Sequence, residues 1–415
     1  MLETPVKIEL PTEVQEPETA TCRLVVGSPG GQPRVGLVLK RTYAFRPGGA
    51  CELLGPEYQD EVLDDECPYE AVKTPKISPV ALDNDLWAFR SRTDLVLQGT
   101  AYAYFPKTRK SWVELRVGGY SRSIRVYGER RVERGPDGEL RFSRPEPFDA
   151  IPLRYDRAYG GCDTAALERY GYPPVLRDLL RNRPEYEAVA ETPFHYPRNP
   201  TGRGFLIEAD AESVSRVEVP NLEFAFDPIT PERLAVDGPA NWIDGPLPAC
   251  MDWQSASWFP RLAYVGLAPL PDNFEGRIAE VERGWAAPDL LRTSSILKAP
   301  DSPMRPEFAQ AASPGMSFEG FPPDAVVELH NLHRDYPVCT LELPGQVPRA
   351  RLELGAAGAI NLEPHLNSIV IRPDHEQVVM TWCAHAPRPQ RLTSRILDSV
   401  RFSISWDTDP LGGLL

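Results

Sequence analysis

The sequence lacks any run of 18 apolar residues, which excludes a membrane-spanning helix of ordinary length. It also lacks a signal peptide pattern, because residues 1–24 carry acids and prolines where such a peptide has a basic start and an apolar core. Basic residues are too few for a general nucleic-acid binder, with 45 Lys and Arg against 59 Asp and Glu and a formal net charge of −14. We therefore predict a cytoplasmic protein that binds neither nucleic acid nor membrane.

Motifs that carry chemistry are equally scarce. The seven cysteines include no C-x-x-C pair, which favours a reducing compartment and free thiols. The sequence contains no Gly-x-Ser-x-Gly and no P-loop, and His330 and His333 would point to opposite faces of a strand. We therefore predict a protein that is not an enzyme and has no metal or cofactor. A Ser-His-Asp triad assembled from distant positions remains an alternative.

What the sequence does have is proline, at 45 of 415 residues, which largely excludes long helices. Alternation of apolar and charged residues is typical of half-buried strands, and it is clearest around Gly118-Gly119, between Trp112–Val117 and Ser123–Tyr127. A turn at Gly135–Gly138 leads into Leu140–Phe142 and extends this hairpin into a predicted meander. Further strands are predicted at these ranges: Val35–Phe45, Leu95–Phe105, Val326–Leu329, Val338–Leu343, Arg351–Leu354, Ser368–Ile371, Val378–Trp382 and Arg401–Trp406.

Helical periodicity is confined to short pieces at Pro174–Leu180 and Asp272–Trp285. The predicted fold class is mainly β, with antiparallel sheets in β-sandwich-like units, short helical insertions and long Pro-rich loops. Four prolines between residues 298 and 318 indicate a linker or a long surface loop. We therefore predict an N-terminal β domain at residues 1–300 and a C-terminal β unit at residues 316–415.

One aromatic segment is a candidate for partner binding. It contains Trp253, Trp258, Phe259 and Arg261, and large aromatic side chains beside Pro and Arg can form a protein hot spot or a platform for a sugar. Packing in the core is the commoner role for such residues. A glycan-active protein would also need a carboxylate pair, for which the sequence offers Glu223, Asp244 and Asp252.

Several segments together resemble one bacterial family, the domain of unknown function 2169, which is encoded beside type VI secretion effectors. The resemblance runs from about Val35 to Trp382 and departs from the commonest family pattern between about Pro228 and Trp285, as in a divergent branch. The segments that carry it include Val126–Arg130, Ile151–Gly161, Arg198–Phe205, Pro220–Glu223, Met251–Trp253, Trp258–Arg261, Ile278–Val281 and Glu328–His333.

The resemblance implies an adaptor or chaperone. Such a protein would bind a toxic effector encoded nearby, or its PAAR-like spike-tip domain, and help to load it onto the secretion spike without catalysis. The alternatives are a carbohydrate-binding or glycan-active β-sandwich and a structural part of the secretion particle.

The shared motifs are interpreted as backbone architecture. Their glycines can supply positive φ at loop corners, Asn199-Pro200 favours a turn, and Arg157, Arg198 and Arg203 can pair with carboxylates. The motif residues expected to form this scaffold are Tyr155, Arg157, Gly160, Gly161, Arg198, Asn199, Pro200, Gly202 and Gly204.

Overall fold

The computed structural model describes residues 6–7, 21–27, 34–69, 78–86, 90, 92–170, 194–256, 258–259, 261, 310–354, 358–387 and 401–407. Within these ranges the chain is mainly β with short helices, which confirms the predicted fold class. No helix in the described ranges has the length and apolar character needed to cross a membrane. The predicted helices at Pro174–Leu180 and Asp272–Trp285 lie outside the described residues.

The strands of the first 160 residues are mostly short, with three of eight residues or more. They are β1 (Val6–Lys7), β2 (Thr21–Gly27), β3 (Arg34–Ala44), β4 (Gly49–Ala50), β5 (Glu52–Leu53), β6 (Cys67–Pro68), β7 (Val80–Leu82), β8 (Thr93–Leu97), β9 (Thr100–Tyr102), β10 (Lys110–Val117), β11 (Tyr120–Tyr127), β12 (Val132–Arg134), β13 (Leu140–Phe142), β14 (Ala150–Pro152) and β15 (Tyr159–Gly160).

The later strands include the other long ones. They are β16 (Arg203–Gly204), β17 (Leu206–Ile207), β18 (Leu222–Glu223), β19 (Ala235–Val236), β20 (Ser317–Phe318), β21 (Val326–His330), β22 (Val338–Glu342), β23 (Val347–Glu353), β24 (Ala359–Leu362), β25 (His365–Arg372), β26 (Gln377–Pro387) and β27 (Arg401–Asp407). Two α-helices, α1 (Thr164–Tyr170) and α2 (Ala211–Arg216), are accompanied by 3₁₀ turns at Pro56–Tyr58, Tyr155–Arg157, Pro231–Arg233, Pro239–Asp244 and Pro373–His375.

The larger sheet has eight described strands in the order β1-β2-β3-β26-β25-β8-β20, with β5 paired to β3. Most of its pairs are antiparallel, but β8 runs parallel to β25, so that Leu97 lies beside Ile371 where both strands end. Backbone alternation places Leu37, Leu39 and Tyr43 in the core. This sheet therefore brings the carboxyl ends of two distant strands to one edge.

The second sheet has six strands in the order β18-β11-β10-β21-β22-β4. Its centre is the predicted hairpin, in which Val117 pairs with Tyr120 across the two-residue loop Gly118-Gly119. Gly118 has a φ of 54°, a value that glycine adopts without strain. The hairpin prediction is confirmed because its signal, alternation on both sides of a Gly-Gly pair, is entirely local.

The predicted meander and one predicted strand need correction. After the turn at Gly135–Gly138, β12 and β13 form a separate two-stranded sheet and do not continue the hairpin. The predicted strand Leu95–Phe105 is divided at Gln98-Gly99, because β8 pairs with β25 whereas β9 pairs with β14. Each half of that segment therefore belongs to a different sheet.

The two large sheets share one hydrophobic core. Its buried members come from both sheets, including Leu39, Leu95 and Ile369 of the larger sheet and Leu115, Ile124 and Leu329 of the smaller one. A second cluster surrounds Tyr159 and Tyr196, whose rings meet edge to face at 5.0 Å. The architecture is that of two packed sheets with a smaller aromatic core beside them.

Strands from both sides of residues 298–318 lie in both large sheets. In the larger sheet β25 and β26 lie between β3 and β8, and in the smaller sheet β21 pairs with β10. Each large sheet therefore contains strands from both sides of the predicted boundary.

The described part of the predicted linker is no surface loop. Ala311 and Ser313 are buried, and β20 pairs with β8. The buried Asp94 carboxylate accepts hydrogen bonds from the Ala311 N–H at 2.8 Å and the Ser317 hydroxyl at 2.6 Å. These bonds hold the segment in the protein in spite of its prolines.

Candidate functional site

A cleft of about 620 Å³ lies at the edge where the parallel strands β8 and β25 end. Its walls come from residues that follow β6, β8, β14 and β25, including the 3₁₀ turn Pro373–His375. Its polar lining consists of Asp60, Glu61, Tyr69, Gln98, Thr100, Arg154, Arg372, Asp374, His375 and Gln377. The volume of the cleft lies within the range of known ligand sites.

Behind the cleft lies a fully buried acid, Asp252, which is held by groups that line the cleft. The Tyr69 hydroxyl donates to Asp252 Oδ2 at 2.7 Å, and Gln98 Nε2 donates to Asp252 Oδ1 at 3.0 Å. The Trp253 N–H donates to Oδ1 as well, at 2.8 Å. All three donors favour the ionised carboxylate, yet burial outweighs them and raises the pKa of Asp252 to about 7.

The two arginines of the cleft are held in internal ion pairs. Arg154 donates from Nε and Nη2 to the two oxygens of Asp156 at 3.1 and 3.0 Å, while its guanidinium lies 4.5 Å from the centre of the Tyr69 ring. Arg372 Nη1 lies 2.8 Å from Asp60 Oδ2. Both guanidinium groups are therefore held in place by carboxylates of the protein itself.

Next to the cleft, the motif segments meet at Asn199. Its side-chain NH₂ group donates to the backbone carbonyls of Tyr155 and Tyr159 at 2.8 and 3.0 Å. The backbone carbonyl of Asn199 accepts from the Gly161 N–H at 2.9 Å. Asn199 is fully buried, so these bonds satisfy backbone groups that water cannot reach. Asn199 thus joins the loops at 151–161 and 198–204 through both its side chain and its backbone.

Close backbone approach explains two of the motif glycines. A Cβ on Gly160 would lie 2.1 Å from the Asn199 carbonyl oxygen, and one on Gly202 would lie 2.6 Å from the Ala158 carbonyl oxygen. The predicted positive φ is confirmed at Gly160, Gly161 and Gly204 but is wrong for Gly202, where space alone requires glycine.

Arg157 and Arg203 pair with carboxylates, as the sequence predicts. Arg157 Nη1 lies 3.0 Å from Glu129 Oε1, and Arg203 Nη1 lies 3.5 Å from both Glu129 Oε2 and Glu218 Oε2. Arg198 is fully buried, and its described partners are the Tyr196 hydroxyl at 2.9 Å and the Ile243 carbonyl at 3.1 Å. The motif arginines therefore stabilise loops, as the sequence predicts.

Comparison with protein families matches this chain over residues 30–383 with a family described as uncharacterised proteins conserved in bacteria, DUF2169. The chain belongs to this family. The matched range agrees with the predicted extent of the resemblance. Comparisons with curated proteins and with solved structures each found no match.

In this DUF2169 protein the aromatic candidates are buried. Trp253 and Phe259 are 4% and 3% exposed, and Trp258 packs edge to face on Tyr155 with ring centres 5.2 Å apart. Phe259 meets Trp242 in the same manner at 5.0 Å. Their predicted role as an exposed contact surface is therefore corrected to core packing, the alternative that the sequence favours for such residues.

Arg261 is also buried, and its role as a partner contact is corrected in the same way. Arg261 Nη1 lies 3.4 Å from Asp83 Oδ1 and 3.6 Å from Glu66 Oε1. Arg90 contacts the same Asp83 and lies 3.4 Å from Asp94. Burial, together with the charge of Asp83, raises the pKa of Glu66. These groups form a largely buried ionic network that joins the chain at Glu66, residues 83–94 and Arg261.

The three carboxylates considered for glycan chemistry lie in separate surroundings. Glu223 lies 3.8 Å from Arg130 and accepts from the Ile229 N–H, Asp252 bonds Tyr69 and Gln98, and Asp244 is exposed. No described hydrogen bond or ion pair links any two of them. Among the described contacts, these three acids therefore do not form one cluster.

The outer face of the six-stranded sheet exposes several apolar side chains. Trp112 and Val338 are 43% and 51% exposed, and His330 lies between them, with its ring centre 5.5 Å from that of Trp112 and its backbone paired with Val338. Beside this row, Arg116 lies 2.6 Å from Glu114 and 3.2 Å from Glu328. We call this surface the outer face.

Sequence reasoning missed both the cleft and the outer face. Tyr69, Gln98 and Asp374 lie in unrelated loops, and only the strand pairing brings them together. One signal was available, because Asp252 is an acid in the otherwise apolar run Ala249–Trp253. For the outer face, the signal was the alternation of Trp112, Glu114 and Arg116 with buried residues.

Proposed function

We propose that this DUF2169 protein is a non-catalytic adaptor that binds a toxic effector and aids its loading onto the type VI secretion spike. The observation that carries the proposal is the outer face, where an aromatic side chain on β10 and an aliphatic one on β22 stand exposed on either side of β21. Exposed aromatic residues with a polar surround are characteristic of protein contact sites. The resemblance to effector-associated proteins supplies the class of partner.

The charge of the chain supports a particular kind of effector. A net charge of −14 attracts a basic protein and repels acidic ones, and it accelerates association at low salt. A nuclease toxin, which must bind nucleic acid, has the complementary charge. We therefore propose a basic effector as the client, with its PAAR-like spike-tip domain as the second protein to test.

The glycan alternative has no comparable support. Stacking on a sugar requires an exposed aromatic face, and Trp253 and Trp258 are both buried. Their rings pack against protein groups, such as Tyr155 for Trp258. We therefore develop the adaptor proposal alone.

The test is co-expression with the effector encoded beside the gene, followed by gel filtration and by separate pull-downs of the effector and its spike-tip domain. We expect a complex that the variant Trp112→Ala, and more strongly Val338→Arg, weakens by roughly 30-fold, the effect of losing a contact hot spot of about 2 kcal/mol. The matched control is Tyr58→Ala, an exposed aromatic on the turn Pro56–Tyr58, outside the outer face.

Two results would contradict the proposal. One is an effector that remains equally stable and equally secreted in a strain lacking this protein. The other is a complex that Val338→Arg and Tyr58→Ala weaken to the same extent, because the outer face would then have no special role.

A further inference from the structure

One end of the outer face is basic, although the chain as a whole is acidic. Residues 105–144 carry eleven Lys and Arg against five Asp and Glu, in a chain whose net charge is −14. Alternation along β10 places Lys110 and Trp112 on the outer face, and Arg125 of β11 lies opposite Trp112 in the register. We call Lys110, Trp112 and Arg125 the basic end.

The acids of the outer face nearest the basic end already have cationic partners. Glu114 lies 2.6 Å from Arg116, and Glu328 lies 3.2 Å from the same guanidinium. Glu328 also contacts the ring of His330. These two acids are therefore engaged by groups on their own strands and on the neighbouring one.

Lys110 and Arg125 have no such partners. Glu223 lies opposite Arg125 in the register, but it is buried and lies 3.8 Å from Arg130. In the described part of the chain, no Asp or Glu side chain lies within ion-pair distance of Lys110 or Arg125. Both cations are therefore available to a group outside the protein.

The two cations are close enough to act on one group. Lys110 pairs with Tyr127 in the register, so Arg125 is its diagonal neighbour on β11. Diagonal neighbours lie roughly 7 to 8 Å apart, which long side chains can span. A carboxylate between them can accept from both, and the Trp112 ring, 43% exposed beside it, can cover an apolar side chain.

A protein carboxylate suits the basic end better than a nucleic acid does. Binding of nucleic acid depends on many phosphate contacts, and a net charge of −14 repels a phosphate backbone. A single carboxylate needs only local charge, because at physiological salt charges more than about 8 Å away are largely screened. A basic effector attracted by the chain as a whole can therefore still place an acidic segment here.

We propose that the basic end binds a carboxylate-bearing segment of the effector, with Lys110 and Arg125 on the carboxylate and Trp112 on an adjacent apolar side chain. The identity of the partner rests on the proposed function. Recognition of the acidic segment itself does not.

The direct test is calorimetric titration of the full chain with a peptide of Glu-Phe-Ser repeats, with its Gln-Phe-Ser counterpart and with an oligothymidine of equal length. We expect the Glu peptide to bind at least about 10-fold more tightly than the Gln peptide, a difference of about 1.4 kcal/mol. The double variant Lys110→Glu/Arg125→Glu should remove that preference.

The matched control is Arg351→Glu/Arg401→Glu, which makes the same change in net charge at exposed positions of β23 and β27. It should retain the preference for the Glu peptide. Circular dichroism and thermal melts will verify that each variant is folded. Lys110→Gln/Arg125→Gln serves if the charge reversal at the basic end unfolds the protein.

Three results overturn the inference. They are equal affinity for the two peptides or no binding of either, a preference for the Glu peptide that survives in Lys110→Glu/Arg125→Glu, and tighter binding of oligothymidine than of the Glu peptide. In the last case the basic end would recognise phosphate.

The effector complex separates this inference from the proposed function. We expect Lys110→Glu/Arg125→Glu to weaken the complex at least about 10-fold more than the matched control does. A complex that Val338→Arg weakens but the basic-end variant leaves unchanged or tightens overturns the inference, and the proposed function stands. Binding of the Glu peptide as expected, without any effector complex, supports the recognition of an acidic segment while the proposed function fails.

Discussion

Replacing Asp252 by asparagine removes a buried acid whose pKa lies near neutral pH. In the folded protein burial raises that pKa to about 7, from an ordinary value of 3.8. Tyr69 and Cys250, which lie nearest, have pKa values raised above their ordinary 10.0 and 9.0, so both stay neutral between pH 5 and pH 8. A titration in this range therefore reports Asp252 against a constant local background.

The sign follows from proton binding. Between pH 4 and pH 7 the folded state keeps the proton on Asp252 while the unfolded state has released it, so the free energy of unfolding falls as the pH rises. A shift of about 3 pKa units at about 1.4 kcal/mol each amounts to about 4 kcal/mol in full. Of this total, about 2 to 3 kcal/mol of the free energy of unfolding is lost between pH 5 and pH 8.

The assay is urea unfolding of the wild type and Asp252→Asn at pH 5, 6, 7 and 8, with the exposed Glu57→Gln as control. The asparagine cannot ionise, so we expect the variant to gain about 2 to 3 kcal/mol relative to wild type across this range. Any altered hydrogen bond to Tyr69 adds a constant offset and leaves the slope unchanged.

A flat difference between the two proteins would refute the reasoning, since Asp252 would then ionise alike in the folded and unfolded states. A difference that grows toward low pH would also refute it. In that case the three hydrogen bonds to the carboxylate would outweigh burial.

Three further substitutions test the loops around the cleft by urea unfolding. Gly160→Ala places a Cβ 2.1 Å from the Asn199 oxygen at a φ of +146°, and should cost at least about 3 kcal/mol; Gly119→Ala, whose Cβ meets nothing within 4 Å, should cost less than about 1. Equal costs would contradict the packing argument. Asn199→Ala leaves two buried carbonyls without their donor and should cost about 2 to 4 kcal/mol. Arg261→Ala removes one of the two arginines that pair with the buried Asp83, together with the cation beside Glu66, and should cost about 3 to 5 kcal/mol; a neutral result would mean that the network contributes nothing.

Local signals predicted much of the fold. The hairpin at Gly118-Gly119 has its strands, turn and register within 18 residues, and alternation alone places Val113 and Leu115 inside. The division at Gln98-Gly99 could not be predicted in this way, because it depends on β25 and β14, which come later in the chain. The local pattern of apolar and polar residues predicts a strand well when the strand that pairs with it is near in sequence, and poorly when that strand is distant.

The candidate site was less accessible from sequence for a related reason. Trp253, Trp258 and Phe259 are as suitable for a surface as for a core, and only tertiary packing decides between the two. The acids of the cleft, such as Glu61 and Asp374, are ordinary polar residues in turns until strand pairing brings them to one edge. The motif residues were different, because a Gly-Gly or Asn-Pro pair has a backbone role that is visible in one segment.

The pairing of β3 with β26 has a consequence for synthesis of the protein. The two strands match along eleven register positions, from Ala44 opposite Gln377 to Arg34 opposite Pro387. At roughly 5 to 20 residues per second, the ribosome makes β26 roughly 15 to 70 seconds after β3. Throughout that time one long edge of β3 has no native partner, and such an edge invites pairing with other chains. The large sheet can therefore close only after β26 has been made, and until then β3 depends on other protection of its edge.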